Sequence, residues 1–174
     1  MNPSFLRSSR GLLLAVLLAT AGGLPAAHAL DAGQAAPAFS LPAADGKTVS
    51  LAGLRGHYVY VDFWASWCGP CKQSFPWMKA LQAKLGGPRF EVVAINVDEK
   101  RADAQRFLGD AAPGFTVLFD AQGATPAAYG VQGMPTSFLV DPEGKVVLVH
   151  QSFKDSERDA LAQKIAALVG GAKP

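Results

Sequence analysis

Residues 61–72 read Val-Asp-Phe-Trp-Ala-Ser-Trp-Cys-Gly-Pro-Cys-Lys, with two cysteines, Cys68 and Cys71, three positions apart. The stretch begins inside an apolar run typical of a buried strand, 58–64, and it opens a segment with helical periodicity, 71–85. The first N–H groups of a helix lack partners within the helix and favour a negative charge, so they would stabilise a thiolate at Cys68. This context predicts a redox pair in which Cys68 attacks a disulfide and Cys71 resolves the mixed disulfide.

The segments around this stretch predict an α/β sandwich with a mixed sheet. Three further apolar runs have the length and composition of strands, 90–97, 136–140 and 146–150, and residues 156–169 repeat a helical spacing. The turn residues Asp-Pro-Glu-Gly at 141–144 favour an antiparallel hairpin between the last two strands. Asp45-Gly46 favours a shorter hairpin near the beginning, and residues 103–128 carry a short helix pattern and a strand-like run, 115–119.

The first thirty residues have the pattern of a secretory signal peptide. Arg7 and Arg10 precede an apolar stretch, 11–24, and the small-x-small sequence Ala27-His28-Ala29 follows it. A membrane-spanning helix needs about 20 apolar residues, and this stretch is shorter. We therefore expect cleavage after Ala29 and a single domain over residues 30–174, with an uncleaved N-terminal anchor as the alternative.

The composition of the 174-residue chain excludes several classes of protein. With 49% hydrophobic and 17% charged residues, it suits one compact domain and not a disordered chain. Sixteen basic against fourteen acidic residues give a net charge of +2, which argues against binding nucleic acid by charge. Two cysteines are also too few for a fold that is held together by disulfides.

Four other uses of the cysteine pair remain open at this point, although we predict no metal site. One is a purely structural disulfide, although so small a loop contributes little chain-entropy stabilisation. A zinc site would need two more Cys or His ligands, and beyond the leader only His57 and His150 are present as histidines. A copper-delivery module could combine Cys68, Cys71 and one of these histidines. A thiol peroxidase of the peroxiredoxin type would want a threonine where Ala65 stands.

Residues 61–72 resemble the active-site stretch of thioredoxins, and Gly133-Met134-Pro135-Thr136 is similar to their cis-proline loop. The leader, the first hairpin and the extra segment near 101–128 make the chain more similar to the secreted TlpA/ResA-like branch, over roughly residues 33–170. The resemblance implies a thioredoxin-like three-layer sandwich with a central mixed β-sheet, an N-terminal β-hairpin and an inserted helix–strand segment. It also implies a redox-active Cys68–Cys71 disulfide and no cofactor.

The same branch implies protein substrates that contain disulfides, a membrane-embedded electron donor that re-reduces the pair in the periplasm, and a monomer. Apocytochrome c is one substrate of the branch, but several cytochrome-maturation members carry a glutamate where this chain has Ser74. A general periplasmic disulfide reductase, or a reductant of copper-site cysteine pairs during oxidase assembly, fits the residues equally well. Gly69-Pro70 is the dipeptide of thioredoxin, whose potential of about −270 mV lies far below the about −120 mV of the oxidant DsbA, so we expect a reductant.

Asp62 lies six residues before the first cysteine in an otherwise apolar run, where burial would raise the pKa of its carboxyl. The alternation of Tyr58, Tyr60 and Asp62 equally allows an outward-facing residue. The resemblance favours a proton carrier for the second cysteine. Ala94 stands where thioredoxins commonly have a lysine beside this carboxylate, and the missing cation would raise the pKa further.

The remaining site predictions concern contact with the substrate. The resemblance implies a cis Met134–Pro135 bond that exposes the backbone of Met134 to an extended substrate strand. Trp64 is as compatible with the core as with an apolar rim around the sulfurs. Three more residues would meet the substrate at the surface: Trp67, Gly69 and Pro70. The resulting catalytic set is Cys68, Cys71, Asp62 and Pro135.

Overall fold

The computed structural model describes residues 30–109 and 113–171, and the predicted leader lies outside them. The strands of these residues are β1 (Ser40–Pro42), β2 (Thr48–Ser50), β3 (Tyr58–Trp64), β4 (Phe90–Asn96), β5 (Thr116–Phe119), β6 (Thr136–Val140) and β7 (Val146–Gln151). The α-helices are α1 (Gly69–Leu85), α2 (Arg101–Leu108), α3 (Ala124–Ala128) and α4 (Arg158–Gly171). Short 3-10 turns precede β3 and α4, at Leu51–Leu54 and Asp155–Glu157.

Five of the strands form the central sheet in the order β5-β4-β3-β6-β7. β3 is parallel to β4, and β4 to β5, whereas β6 is antiparallel to β3 and to β7. β3 is therefore the middle strand, and other parts of the chain cover both of its faces. Tyr60 and Asp62 are each only 1% exposed, so the outward-facing interpretation of Asp62 is wrong.

One face of the sheet packs against α1, α2 and α4. The cluster on this face joins Tyr60 and Trp64 of β3 to residues of all three helices. The buried residues of α1 repeat at spacings of three and four and so lie on one side of the helix: Cys71, Ser74, Met78 and Leu81. The periodicity that builds the core therefore also turns the second cysteine toward the sheet.

The opposite face of the sheet is covered by the chain before β3 and by the segment around α3. Phe39, Leu51 and Tyr129 pack there against the inward side chains of β3 and its neighbours. The Tyr129 hydroxyl donates a hydrogen bond to the Pro37 carbonyl at 2.9 Å, which joins the two covering segments. β1 and β2 pair antiparallel to form a separate two-stranded hairpin.

The fold predicted from the sequence is confirmed: three layers, a mixed central sheet, an N-terminal hairpin, and an inserted helix and strand. The turn at 141–144 does join two antiparallel strands. The five-residue helix α3 was not expected, because its sequence Ala-Thr-Pro-Ala-Ala is too short to show a helical period. Its beginning is held by Asp120, whose carboxylate accepts a hydrogen bond from the Thr125 N–H at 2.7 Å. None of the helices in the described ranges is long and apolar enough to cross a membrane.

Candidate active site

Cys68 and Cys71 are joined by a disulfide at the N-terminus of α1, with their Cα atoms 5.3 Å apart. Cys68 is the N-cap residue of the helix, and its Sγ accepts a hydrogen bond from the Cys71 N–H at 3.2 Å. Pro70 occupies the first turn, where a helix loses nothing from the missing N–H. The helix thus begins at the cysteine pair, and its free N–H groups and dipole favour a negative charge on Cys68.

The two sulfurs differ in accessibility. Cys68 is 5% exposed and Cys71 is fully buried. Trp67, directly before the pair, is 70% exposed, and Gly69 and Pro70 between the cysteines are also exposed. A molecule approaching from solvent therefore meets Trp67, Gly69 and Pro70 first, and of the two cysteines only Cys68 keeps any exposed surface.

The loop before the pair is held by a network of hydrogen bonds that the sequence analysis did not identify. Both the N–H and the hydroxyl of Ser66 donate to the Asp98 carboxylate, each at 3.0 Å. The Asn96 side-chain amide donates to the same carboxylate at 2.8 Å. Asp98 follows β4, and the carboxyl ends of parallel strands meet at one edge of a sheet. The position of Asp98 directly after a predicted strand was the sequence signal for this contact, because the loop that carries the cysteines follows β3 at the same edge of the sheet.

Asp62 lies on the face of β3 that is turned toward α1. One of its oxygens accepts a hydrogen bond from the Ser137 hydroxyl at 2.6 Å, and the other oxygen, Oδ2, is buried without a partner. Ala94 is directly opposite on β4 and supplies no charge. Burial raises the pKa of Asp62 to about 7, against the lowering effect of the Ser137 hydrogen bond. The carboxyl can thus gain or lose a proton near neutral pH.

Asp62 and the cysteines contact the same layer of the core. Tyr60 and Trp64, two residues before and after Asp62 on the same face of β3, belong to the cluster that contains Cys68 and Cys71. Trp64 is fully buried, and its ring packs against Phe75 of α1 at a centroid distance of 4.6 Å. Trp64 therefore belongs to the core and not to an apolar rim around the sulfurs.

The loop before β6 packs on the same side of the sheet as the cysteines, since Met134 contacts the core cluster that includes them. The Met134–Pro135 peptide bond is cis, as the resemblance implied. The Thr136 hydroxyl donates to the Gly133 carbonyl at 2.7 Å, and the Ser152 N–H donates to the Pro135 carbonyl at 2.8 Å. These bonds hold the chain on both sides of Met134 and use neither its N–H nor its carbonyl.

Nothing in the described ranges gathers three or more His, Cys, Asp or Glu side chains into a possible metal site. His57 precedes the first residue of β3, whereas the cysteines follow the last one. The length of the strand, about 20 Å at ~3.3 Å per residue, separates them. His150 lies on β7, which β6 separates from β3, the strand that leads to the cysteines. The geometry gives no support to a copper site made from the cysteines and either histidine.

Residues 31–165 match the Redoxin family. The chain is 37% identical over 122 residues to the thiol-disulfide oxidoreductase ResA of Bacillus subtilis (strain 168), which covers 70% of this chain and 68% of that protein. A solved structure from Chlorobium tepidum, provisionally named the thiol:disulfide interchange protein DsbE, is 53% identical with a TM-score of 0.78 and covers 82% of this chain and 100% of its own. An exposed lipoprotein thioredoxin from Streptococcus pneumoniae is 32% identical with a TM-score of 0.65 and covers 74% and 98%.

Proposed function

The chain belongs to the Redoxin family and is a thiol–disulfide oxidoreductase, and from this premise we propose that Cys68 and Cys71 are its redox pair and that it reduces protein disulfides in the periplasm. The observation that carries the proposal is the contrast between the two sulfurs at one helix N-terminus. Cys68 keeps a small exposed surface, 5%, and its sulfur accepts a hydrogen bond from the Cys71 N–H, while Cys71 is fully buried. A substrate sulfur can therefore react with Cys68. The Cys71 sulfur, which lies inside the protein, can then displace the substrate from Cys68.

In the first step the Cys68 thiolate attacks one sulfur of a substrate disulfide. A bond forms between Cys68 Sγ and that sulfur, the substrate disulfide breaks, and the other substrate sulfur leaves as a thiolate that takes a proton from water. The N-terminus of α1 supports the attacking thiolate, since helix N–H groups and the dipole stabilise a negative charge there. The free backbone groups of Met134 would bind the substrate chain beside Cys68, and Trp67 would cover its apolar side chains.

In the second step the Cys71 thiol gives its proton to the Asp62 carboxylate, and the Cys71 sulfur attacks Cys68 Sγ. The bond between Cys68 and the substrate breaks, the Cys68–Cys71 disulfide forms, and the second substrate sulfur leaves as a thiolate. Two electrons have then moved from the pair to the substrate. Asp62 suits this role because its pKa, about 7, lets the carboxyl take up and release a proton near neutral pH.

The direction of electron flow follows from the residues between the cysteines. The Gly69-Pro70 dipeptide is shared with thioredoxin, at about −270 mV, and not with the strong oxidants near −120 mV. The leader supports a periplasmic location, where a reductant needs a membrane-embedded donor to keep its cysteines reduced. The substrates would be disulfides of apocytochrome c or of copper-site cysteine pairs, or protein disulfides in general.

A trapping experiment tests the roles of the two cysteines. Cys71→Ser should attack a disulfide-bonded peptide and stop as a covalent complex, because no resolving thiol remains. The matched variant Cys68→Ser should form no complex. Non-reducing electrophoresis and mass spectrometry would identify the adduct, and a complex formed through Cys71 would reverse the assignment.

The potential is measured by equilibrating the wild-type pair with glutathione buffers. We expect a value well below that of the glutathione couple. A potential above about −180 mV would make the protein an oxidant or isomerase and contradict the proposed direction.

A further inference from the structure

A row of polar side chains crosses the sheet behind the cysteine pair. Asp62 on β3 is directly opposite Ser137 on β6, and Ser137 is directly opposite His150 on β7. Residues opposite each other on neighbouring strands share a face, and their Cα atoms are about 5 Å apart. The three side chains therefore lie side by side on the face that α1 and α4 cover, with Ser137 in the middle.

Two of these side chains have a buried polar atom without a hydrogen bond. Oδ2 of Asp62 and Nε2 of His150 are both fully enclosed and both unpartnered. The Ser137 hydroxyl between them already donates to the other Asp62 oxygen at 2.6 Å. Buried polar atoms are nearly always paired in folded proteins, so two unpaired ones on either side of a single hydroxyl call for an explanation.

The row also leads from the core to the surface. Asp62 is 1% exposed and Ser137 is 3% exposed. His150 is only half-buried, so its ring has one nitrogen in the interior and the rest of its surface near solvent. An imidazole in this position can accept a proton on one nitrogen and release another from the second.

We propose that His150 exchanges protons between solvent and Asp62 through the Ser137 hydroxyl, and so resets Asp62 after each turnover. The proposal rests on the role of Asp62 given above. It makes His150 a positioning and relay residue that never touches the substrate. Sequence analysis considered His150 only as a metal ligand, because the row becomes visible only when the strand register is known.

The transfer balances as follows when Cys71 has been deprotonated. Protonated Asp62 donates its hydrogen to the Ser137 oxygen, and Ser137 passes its own hydrogen to His150 Nε2. The imidazolium then releases a proton from its other nitrogen to water. The net change is one proton moved from Asp62 to solvent. The serine is unchanged after its hydroxyl rotates back, and His150 is left as the neutral tautomer with its proton on Nε2. When the disulfide is reduced, the same steps run in the opposite direction.

The charged groups around the row are compatible with this exchange. Burial lowers the pKa of His150, and the positive charges of Lys164 and Lys154 lower it further. The negative charge of Glu157, in the 3-10 turn, raises it. Glu157 is itself paired with Lys154 at 3.1 Å. At the other end of the row, Tyr60 lies on the same strand and face as Asp62, and the pKa of its hydroxyl is raised by burial and by the Asp62 charge.

The test is the rate at which dithiothreitol reduces the Cys68–Cys71 disulfide, followed by alkylation and mass spectrometry between pH 5.5 and 8.5. In this reaction the leaving Cys71 thiolate takes its proton from Asp62, so the assay reports on the relay whatever the natural direction or substrate. Rates are divided by the dithiothreitol thiolate fraction at each pH. We expect His150→Gln to be about fivefold slower near pH 7, a smaller loss than a direct proton donor would give.

Three comparisons distinguish a relay from a structural role. Added imidazole should restore the reduction rate of His150→Ala. Ser137→Ala should lose as much rate as His150→Gln, whereas Ser137→Thr, which keeps the hydroxyl, should not. In an Asp62→Asn background, His150→Gln should have no further effect. His57→Gln is the matched control, because His57 also has a buried unpaired nitrogen but lies before β3, away from the row.

An unchanged pH profile in His150→Gln would overturn the relay, as would an equal loss in the Asp62→Asn background. Failure of the proposed function is a different result: the protein would not reduce peptide disulfides, while the dithiothreitol assay would still show the loss in His150→Gln.

Discussion

Asp62 and Asp98 are two buried aspartates near the same pair of cysteines, with opposite surroundings. Asp98 accepts hydrogen bonds from the Ser66 N–H, the Ser66 hydroxyl and the Asn96 amide. Asp62 accepts one, from Ser137, and its second oxygen is unpaired. Asp98 is 5% exposed and Asp62 is 1% exposed, so the two are buried almost equally. The number of hydrogen-bond donors, and not the depth of burial, therefore distinguishes the two carboxylates: Asp98 holds the loop before the cysteines in place, and Asp62 is left with a buried oxygen that has no partner.

The largest expected effect is kinetic and distinguishes Asp62 from Asp98. Asp62→Asn removes the proposed proton acceptor of Cys71, so the resolving step should slow about a hundredfold at pH 7, at the lower end of what general acid–base catalysis supplies. The attacking step should continue, because Cys68 is activated by the helix N-terminus and not by Asp62. Rapid-quench measurement of the mixed disulfide would show it accumulating, while iodoacetamide should label Cys68 at the wild-type rate.

The matched variant is Asp98→Asn, which alters the other carboxylate without touching the row through Ser137. Its resolving step should stay within a few-fold of wild type. Equal resolving rates in Asp62→Asn and wild type would show that Asp62 transfers no proton to or from Cys71.

The comparison also shows what the sequence could predict. The position of Asp62 six residues before Cys68, within an apolar run, was enough to single it out as a candidate. The cysteine pair, the central strands and α1 were predictable for the same reason, since their signals are local in the chain. The pattern of residues on β3 did not decide whether Asp62 faces inward, because both faces of a central strand are buried and alternation then carries no information.

Asp98 was not predicted as part of the site, and His150 was considered only as a metal ligand, because their roles depend on partners far away in the chain. Asp98 is 32 residues from Ser66, and His150 reaches Asp62 only through Ser137, which is 75 residues from Asp62. Contacts at such separations are set by strand order and register. A single sequence carries no direct record of either.

The second expected effect concerns stability and the well-bonded carboxylate. Asp98→Ala would leave the Ser66 N–H, the Ser66 hydroxyl and the Asn96 amide without their acceptor, and each unsatisfied buried donor costs about 1–3 kcal/mol. Water can reach the partly buried Ser66, so we expect a total loss of about 3 kcal/mol in the free energy of unfolding. Urea denaturation of the oxidised protein at pH 7 measures it.

The control for this variant is Asp103→Ala, which removes an exposed carboxylate paired with Arg106 at 3.0 Å. Surface ion pairs contribute little, so this change should stay within about 0.5 kcal/mol of wild type. A similar small effect for Asp98→Ala would mean that the hydrogen bonds to Asp98 do not hold the cysteine loop.

The smallest expected effect is a gain in stability at the poorly bonded carboxylate, and its sign depends on pH. Burial raises the pKa of Asp62 to about 7 in the folded protein, from an unfolded value of about 3.9. The stability that the neutral carboxyl contributes is therefore fully present below pH 4. It is lost as the pH rises toward 7, because the unfolded chain can ionise and the folded one resists. Ionisation at pH 8 thus costs the fold on the order of 4 kcal/mol.

Asp62→Asn keeps the shape of the side chain and cannot ionise, so it removes this cost. Its amide also brings buried N–H groups that lack an acceptor, at about 1–2 kcal/mol, which leaves a net gain of about 2 kcal/mol at pH 8. At pH 4 the wild-type carboxyl is already neutral, and the variant should be no more stable than wild type. Urea denaturation of the oxidised proteins at the two pH values gives both numbers. A gain of the same size at pH 4 and pH 8 would show that the effect comes from packing, and that Asp62 does not titrate between the two.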